Sequence, residues 1–395
     1  MTQKLYLGLR IKLKKLADFK TLCVHAGELI DEQYGGAISP LYMSSSYSFN
    51  DLEISQYPRY FNTPNQRGLV KKIAALEGAE SGMIFSSGMA AISTSLFSHL
   101  NSGDHVVFQD DLYGGTRNFV KSEFPKYGIE FSFTSGIESS NFSREIKHNT
   151  KGIYIETPSN PTMRIIDIEA ISAIAKKKGL WTMIDNTFAS PVNQNPIAFG
   201  IDIVVHSATK YLGGHSDICA GVVLGSKSTI SRVHSSAKNF GGNLSDYTVW
   251  LLERSIKTLF IRVQAQNTNA NLLAKFLDNQ DWVKKVYYPG LTSHPNHSIA
   301  KNQMNGFGGM LSFDLSSELN CKSFLLGLKI IKPTMSLAGV ESTALSPRLT
   351  SHSLLTEKER ISQGITPQMV RFSSGIESVD DLKKDLLQSA NKLKS

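Results

Sequence analysis

Ser207, Thr209 and Lys210 close the apolar run Asp202-Ile-Val-Val-His with two hydroxyls and an amine. Another apolar run, Leu180-Trp-Thr-Met-Ile, ends in Asp185-Asn186, 25 residues before Lys210. A lysine amine forms Schiff bases, a carboxylate pairs with a pyridinium nitrogen, and hydroxyls bind phosphate. Together the three describe a site for pyridoxal phosphate. Alone, a lysine or an aspartate at a strand end is a cap or a solvated charge; the combination in this order carries the reading.

Other segments add parts that are weak singly. Ser86-Ser87-Gly88-Met89-Ala90-Ala91 follows an expected strand and opens an expected helix, whose N-terminus favours a phosphate, although a Ser/Gly cap needs no ligand. With Ser207 and Thr209 it makes a second wall of one phosphate cup. In Asp110-Asp111-Leu112-Tyr113-Gly114-Gly115-Thr116 the glycines admit a flat ligand and Tyr113 is available to stack on it; the plain alternative is a turn. Asn160, between Pro158 and Pro161, offers an amide to a cofactor oxygen, or is merely an Asn-Pro turn. Arg371 in Met369-Val-Arg-Phe-Ser is either a surface charge or the guanidinium that grips the α-carboxylate of an amino acid.

These residues must be held by a scaffold, and the sequence describes one. Seven short apolar runs between Met83 and Gly225 alternate with helical stretches: MIFSS, HVVFQ, EFSFT, GIYIE, WTMID, DIVVH and AGVVL. They predict a seven-stranded, mostly parallel, doubly wound α/β sheet with its ligand at the carboxyl ends of the strands, where Asp185 and Ser207 fall. From Asp246 a long amphipathic segment predicts one helix leading into a smaller unit with strands MLSFDL and MVRFS and a closing helix VDDLKKDLLQSANKLK. At 395 residues two domains are expected. The expected divisions are a basic extension over 1–20, a loop-rich arm over 21–62, a large domain over 63–257 and a C-terminal α/β domain over 258–395.

Composition excludes several classes. No apolar run approaches membrane-spanning length, and three scattered cysteines (Cys23, Cys219, Cys321) argue against a disulfide framework and for a reducing, cytoplasmic setting. The net charge of +8 is concentrated at one end: residues 1–20 hold six basic groups against Asp18 alone. Those basic groups lack interleaved aromatics, which disfavours nucleic acid, and the extension lacks the marks of a transit or secretory peptide. No metal-ligand set is read.

Taken in order and spacing, SSGMAA, DLYGGT, ETPSNPT, IDNTF, HSATKYLGGHSD and VRFSSGIE make the chain resemble the Cys/Met-metabolism, or trans-sulfuration, branch of pyridoxal phosphate enzymes. That branch includes cystathionine γ-synthases, cystathionine γ- and β-lyases, methionine γ-lyases and acyl-homoserine sulfhydrylases. The resemblance runs from about Thr21 to the C-terminus. It implies the type I, aspartate-aminotransferase-like fold of these enzymes, with pyridoxal 5'-phosphate as cofactor. It implies that Lys210 carries the cofactor and moves protons, that Asp185 pairs with its ring nitrogen, and that Tyr113 stacks on the ring and takes the proton of the incoming amine. Ser87, Gly88, Met89, Ser207 and Thr209 would hold the phosphate, and Arg371, Ser336 and Asn160 would face the substrate. It implies also a homotetramer, a dimer of dimers, in which Tyr57 and Arg59 reach a neighbouring subunit's site.

Departures bear on specificity. The turn after Arg59 reads Tyr60-Phe61-Asn62-Thr63-Pro64 instead of the usual x-x-Asn-Pro-Thr. Met335 stands where γ-synthases and γ-lyases carry a glutamate, Asn118 where they carry an arginine (with Arg117 one place early), and Gly115 where methionine γ-lyases carry a cysteine. The expected activity is elimination or replacement at Cγ or Cβ of a sulfur-containing or homoserine-derived amino acid, cystathionine γ-lyase or γ-synthase first. Methionine or homocysteine γ-lyase, cystathionine β-lyase and acyl-homoserine sulfhydrylase are alternatives, and a cofactor-binding regulator without catalysis is the non-enzyme reading.

Overall fold

In a computed structural model of the protein, residues 18–50, 55–353 and 355–394 are described. Most of the basic extension expected over 1–20 lies outside them.

Each of the seven expected apolar runs forms a strand: β1 Ser81–Phe85, β2 His105–Phe108, β3 Glu130–Phe133, β4 Thr150–Glu156, β5 Trp181–Asp185, β6 Ile203–Ser207 and β7 Gly221–Gly225. They make one sheet in the order β1-β7-β6-β5-β4-β2-β3. Only β7 runs antiparallel, to both its neighbours. The central strands are apolar without alternation because both faces are covered. Ile153, Ile155, Ile184 and Val204 bury against one layer, whereas Tyr154, Met183, Ile203 and Val205 point through the pleat to the other.

A second sheet is wholly antiparallel: β8 Val283–Tyr287, β9 Met310–Leu315, β10 Thr343–Leu345 and β11 Met369–Ser373, in the order β10-β11-β9-β8. The closing helix, Val379–Lys394, contributes Leu382, Leu386 and Ala390 to the core beneath it.

Two expectations are corrected. The single helix predicted from Asp246 is two, Asp246–Ile256 and Leu259–Asp278. At the break the backbone tightens and side chains join it: the Ser255 carbonyl accepts from Thr258 N (3.3 Å), Thr258 Oγ1 (3.1 Å) and Arg262 Nη2 (3.0 Å). The second of these helices joins the two cores, with Leu259 and Val263 in the first and Ala270, Leu273 and Leu277 in the second. The arm, read as loop-rich, nevertheless opens with a short helix that the sequence reading did not include, Phe19–His25, capped by Asp18. Its far end rewrites the altered turn usefully: Phe61 takes φ +57° and Thr63 forms a reciprocal capping box with Gln66 at the head of the Pro64–Glu77 helix.

Candidate active site

Three parallel strands end side by side, and their last residues and following turns build the site. At the first wall, Ser87 caps the Gly88–His99 helix, its Oγ accepting from Ala90 N at 3.0 Å. Gly88 is required here: an added Cβ would meet Ser207 Cβ at 2.9 Å, so the helix start rests directly on the end of β6. Orphan N–H groups of that first helical turn and the hydroxyls of Ser207 and Thr209 share one cavity with Met89. The Thr209 hydroxyl is engaged on Ala220, accepting its N–H at 3.0 Å.

At the floor, Asp185 ends β5 and accepts from Thr187 N at 3.0 Å and from the Thr187 hydroxyl. Its neighbour in register is Glu156, the last residue of β4. Glu156 accepts from Tyr113 N (2.8 Å) and from Asn160 N (3.1 Å), so one carboxylate ties together the turns that carry Tyr113 and Asn160. Burial raises both acids, and the charge of Asp185 raises Glu156 further. The Tyr113 ring, 42% exposed, lies over Gly115, where a Cβ would meet it at 2.5 Å.

Lys210 Nζ donates to Ser336 Oγ at 2.9 Å. Burial, helped by the nearby Arg371 charge, lowers this amine to about 8. Ser336 holds φ +79°, unusual for a residue with a side chain, and its carbonyl accepts from Arg371 Nη2 at 3.0 Å. Arg371 is 4% exposed, donates from Nη1 to Asn160 Oδ1 at 3.1 Å, and forms no ion pair among the described residues. A buried cation on neutral acceptors is a receptor for an anion.

The cavity measures about 460 Å³ and gathers Ser87, Gly88, Met89, Tyr113, Asn160, Asp185, Ser207, Thr209, Lys210, Ser336 and Arg371. Its outer wall is uncharged, with Met335, Cys219, Thr350, Ser351 and Ser353. Tyr57 and Arg59 are not brought in. Arg59 donates to the Lys238 carbonyl and borders a separate groove with His234 and Asn62. Arg117 also turns away, pairing with Asp110 at 2.7 Å and lying over the Phe133 ring.

Sequence reasoning passed over Glu156 and Thr187. Glu156 carried a signal, since it closes an apolar run as Asp185 does; Thr187 carried one in the Asp-x-Thr spacing that lets a hydroxyl return to the carboxylate.

The residues fit pyridoxal phosphate: a buried lysine of lowered basicity, a buried acid without a fixed cation, and a helix start opened by glycine. Comparison with known proteins agrees. The family described as Cys/Met metabolism PLP-dependent enzyme matches residues 20–391. Cystathionine beta-lyase of Lactococcus lactis subsp. cremoris (strain MG1363) is 42% identical over 381 residues, covering 95% of this chain and 100% of that one. Cystathionine gamma-lyase of Bacillus subtilis (strain 168) is also 42% identical, covering 94% and 98%. The crystal structure of cystathionine gamma synthase from Xanthomonas oryzae pv. oryzae, in complex with aminoacrylate and cysteine, superposes with a TM-score of 0.92 at 35% identity, over 96% of this chain and 99% of that one. A lysine and an acid where the strands of the large sheet end, an unpaired arginine from β11 facing them, and relatives that match along nearly the whole length lead to one statement: the chain belongs to the Cys/Met metabolism PLP-dependent enzymes, the trans-sulfuration family, with pyridoxal phosphate as its cofactor.

Proposed function

We propose that the chain is a carbon–sulfur lyase that cleaves L-cystathionine. The observation that carries the reading is Arg371, a buried guanidinium without a carboxylate partner in the cavity that also holds the Lys210 amine. In this reading Arg371 takes the substrate α-carboxylate as a bidentate pair. Asn160, its Oδ1 already engaged by Arg371, has its amide N–H groups left for the cofactor. Bound pyridoxal phosphate supplies the electron sink that makes the Cα proton removable. Lys210 Nζ takes that proton, held in range by Ser336 Oγ. Asp185 keeps a proton at the ring nitrogen, and Thr187 fixes the carboxylate that does so. Tyr113 receives the proton of the incoming amine. For departure from Cγ, Lys210 also moves a proton from Cβ. Ser87, Gly88, Met89, Ser207 and Thr209 serve the phosphate.

We infer further a cytoplasmic homotetramer, a dimer of dimers, with Tyr57 and Arg59 completing a neighbour's site. What supports this is that neither lines its own chain's cavity, and the apolar surface of the arm, where Tyr34, Met43 and Phe49 stand exposed. Three cysteines without a disulfide suit a reducing compartment. No helix among the described residues is long and apolar enough to cross a membrane.

One observation favours a second reading. Met335, 66% exposed, stands on an outer wall without a charged group, which suits a thioether tail lacking the distal charges of cystathionine. Methionine or homocysteine would then be the better substrate. The deciding experiment is incubation of the holoenzyme with L-cystathionine and identification of the keto acid. 2-Oxobutyrate assigns Cγ–S cleavage and pyruvate Cβ–S cleavage. No keto acid, with methionine or homocysteine turned over instead, sinks the first reading and leaves the second.

A further inference from the structure

Part of the outer wall of the cavity belongs to the second unit. Thr350, Ser351 and Ser353 sit on the segment that runs from β10 to the short helix Glu357–Ser362. Facing them is Tyr113, at the head of the Gly114–Glu123 helix of the first unit. Several contacts tie the two together. Glu359 meets Lys121 at 3.0 Å and Arg117 at 3.8 Å, residues one helical turn apart on the same face. Gln363 Nε2 donates to the Asp110 carbonyl at 3.2 Å, and Arg117 Nη1 donates to the same carbonyl at 2.8 Å. Gly114 lets the backbones close: a Cβ there would stand 2.7 Å from the Ser351 carbonyl. Glu359 is itself oriented by a capping box, accepting from Thr356 N and Thr356 Oγ1 at 2.9 Å each. Arg117 and Glu359 therefore act on the site from outside it, across a separate small cavity of about 180 Å³.

We propose that Glu359 is a positioning residue that latches the Thr350–Ser353 wall against the Tyr113 turn and so sets how tightly the amino-acid substrate is held. Arg117, buried and paired with Asp110 at 2.7 Å, is the inner half of this latch. The inference rests on the proposed function only in its choice of ligand.

The test uses the holoenzyme of Glu359→Gln, with amide hydrogen exchange across 350–362 and a titration of L-cystathionine followed by the cofactor's visible absorbance. The expected result is faster exchange in that segment, an apparent Kd raised about fourfold as for loss of a partly exposed ion pair, and unchanged absorbance before ligand is added. Lys121→Met, which removes the outer partner of Glu359 and leaves its capping box with Thr356 in place, moves both readouts in the same direction by a smaller amount. Exchange as slow as in the wild type, or faster exchange with an unchanged Kd, overturns the latch. If the wild type binds L-cystathionine without cleaving it, the function reading fails alone and both readouts still decide the latch; if it does not bind, the exchange rates decide.

Discussion

An amine attacks a carbonyl only in its unprotonated form, and the surroundings of Lys210 are arranged to supply that form. Burial first, and the Arg371 charge second, bring it down from 10.5 to about 8. Apoprotein should therefore capture pyridoxal phosphate faster as pH rises toward about 8 and level off above it. Stopped-flow absorbance reads this, and a rate that keeps climbing well beyond that plateau would show a lysine with its ordinary basicity. Arg371→Ala should leave cofactor absorbance intact while kcat/KM falls by roughly a hundredfold, because a buried charged pair with the substrate is lost. Arg371→Lys should recover little of it, since one ammonium cannot copy the fork held by Asn160 Oδ1 and the Ser336 carbonyl. Lys210 and Asp185 could be singled out from the sequence because their types are rare at the ends of buried strands, and Arg371 because a guanidinium is rare within one, where β11 places it. Glu156 closes an apolar run as well, but that position does not reveal what it does. Its part depends on lying beside Asp185 across two strands and on two backbone N–H groups, and neither is written in a linear order of residues.

Strands position these groups, and one tight joint between elements is where β7 meets the start of the Gly88–His99 helix. A Cβ on Gly221 would come within 2.0 Å of the Ser87 carbonyl, backbone against backbone. Gly221→Ala should cost about 2 kcal/mol of stability, measured as a lowered urea midpoint, and should weaken cofactor binding by moving the helix start. A Gly221→Ala protein with wild-type midpoint and wild-type cofactor affinity would mean that the joint yields freely. All seven strands of the large sheet were legible because apolar runs bounded by turn residues carry their own signal. The break before Leu259 was not, since neither Gly nor Pro marks it. There the Ser255 carbonyl is met by the Thr258 and Arg262 side chains beside a tightened backbone bond from Thr258 N, an arrangement visible only once the helix is packed. The helix Phe19–His25 was hidden for a similar reason: it has seven residues, one of them buried, too few for a periodic pattern.

At the scale of the molecule, two cores share the Leu259–Asp278 helix while Tyr57 and Arg59 remain outside the cavity of their own chain. If a neighbour's cavity receives them, Arg59→Ala and Lys210→Ala damage different halves of one site. Refolding the two inactive variants together should then restore about a quarter of wild-type activity by forming one intact site in each mixed pair. No recovery in verified mixed oligomers would count against shared sites. The pair of acids at the floor has a last consequence, for the life of the protein and not its chemistry. Glu156 and Asp185 are both raised by burial, so their contribution to stability is complete below the ordinary carboxylate range and is lost as pH climbs through the raised values. A chain without cofactor thus carries an electrostatic conflict at cellular pH that a protonated ring nitrogen relieves, and ligand binding adds its own stabilisation. Unloaded chains are the ones that open and meet proteases. A pulse-chase in cells starved of pyridoxal phosphate should show a shortened half-life for this protein, making its abundance a gauge of cofactor supply.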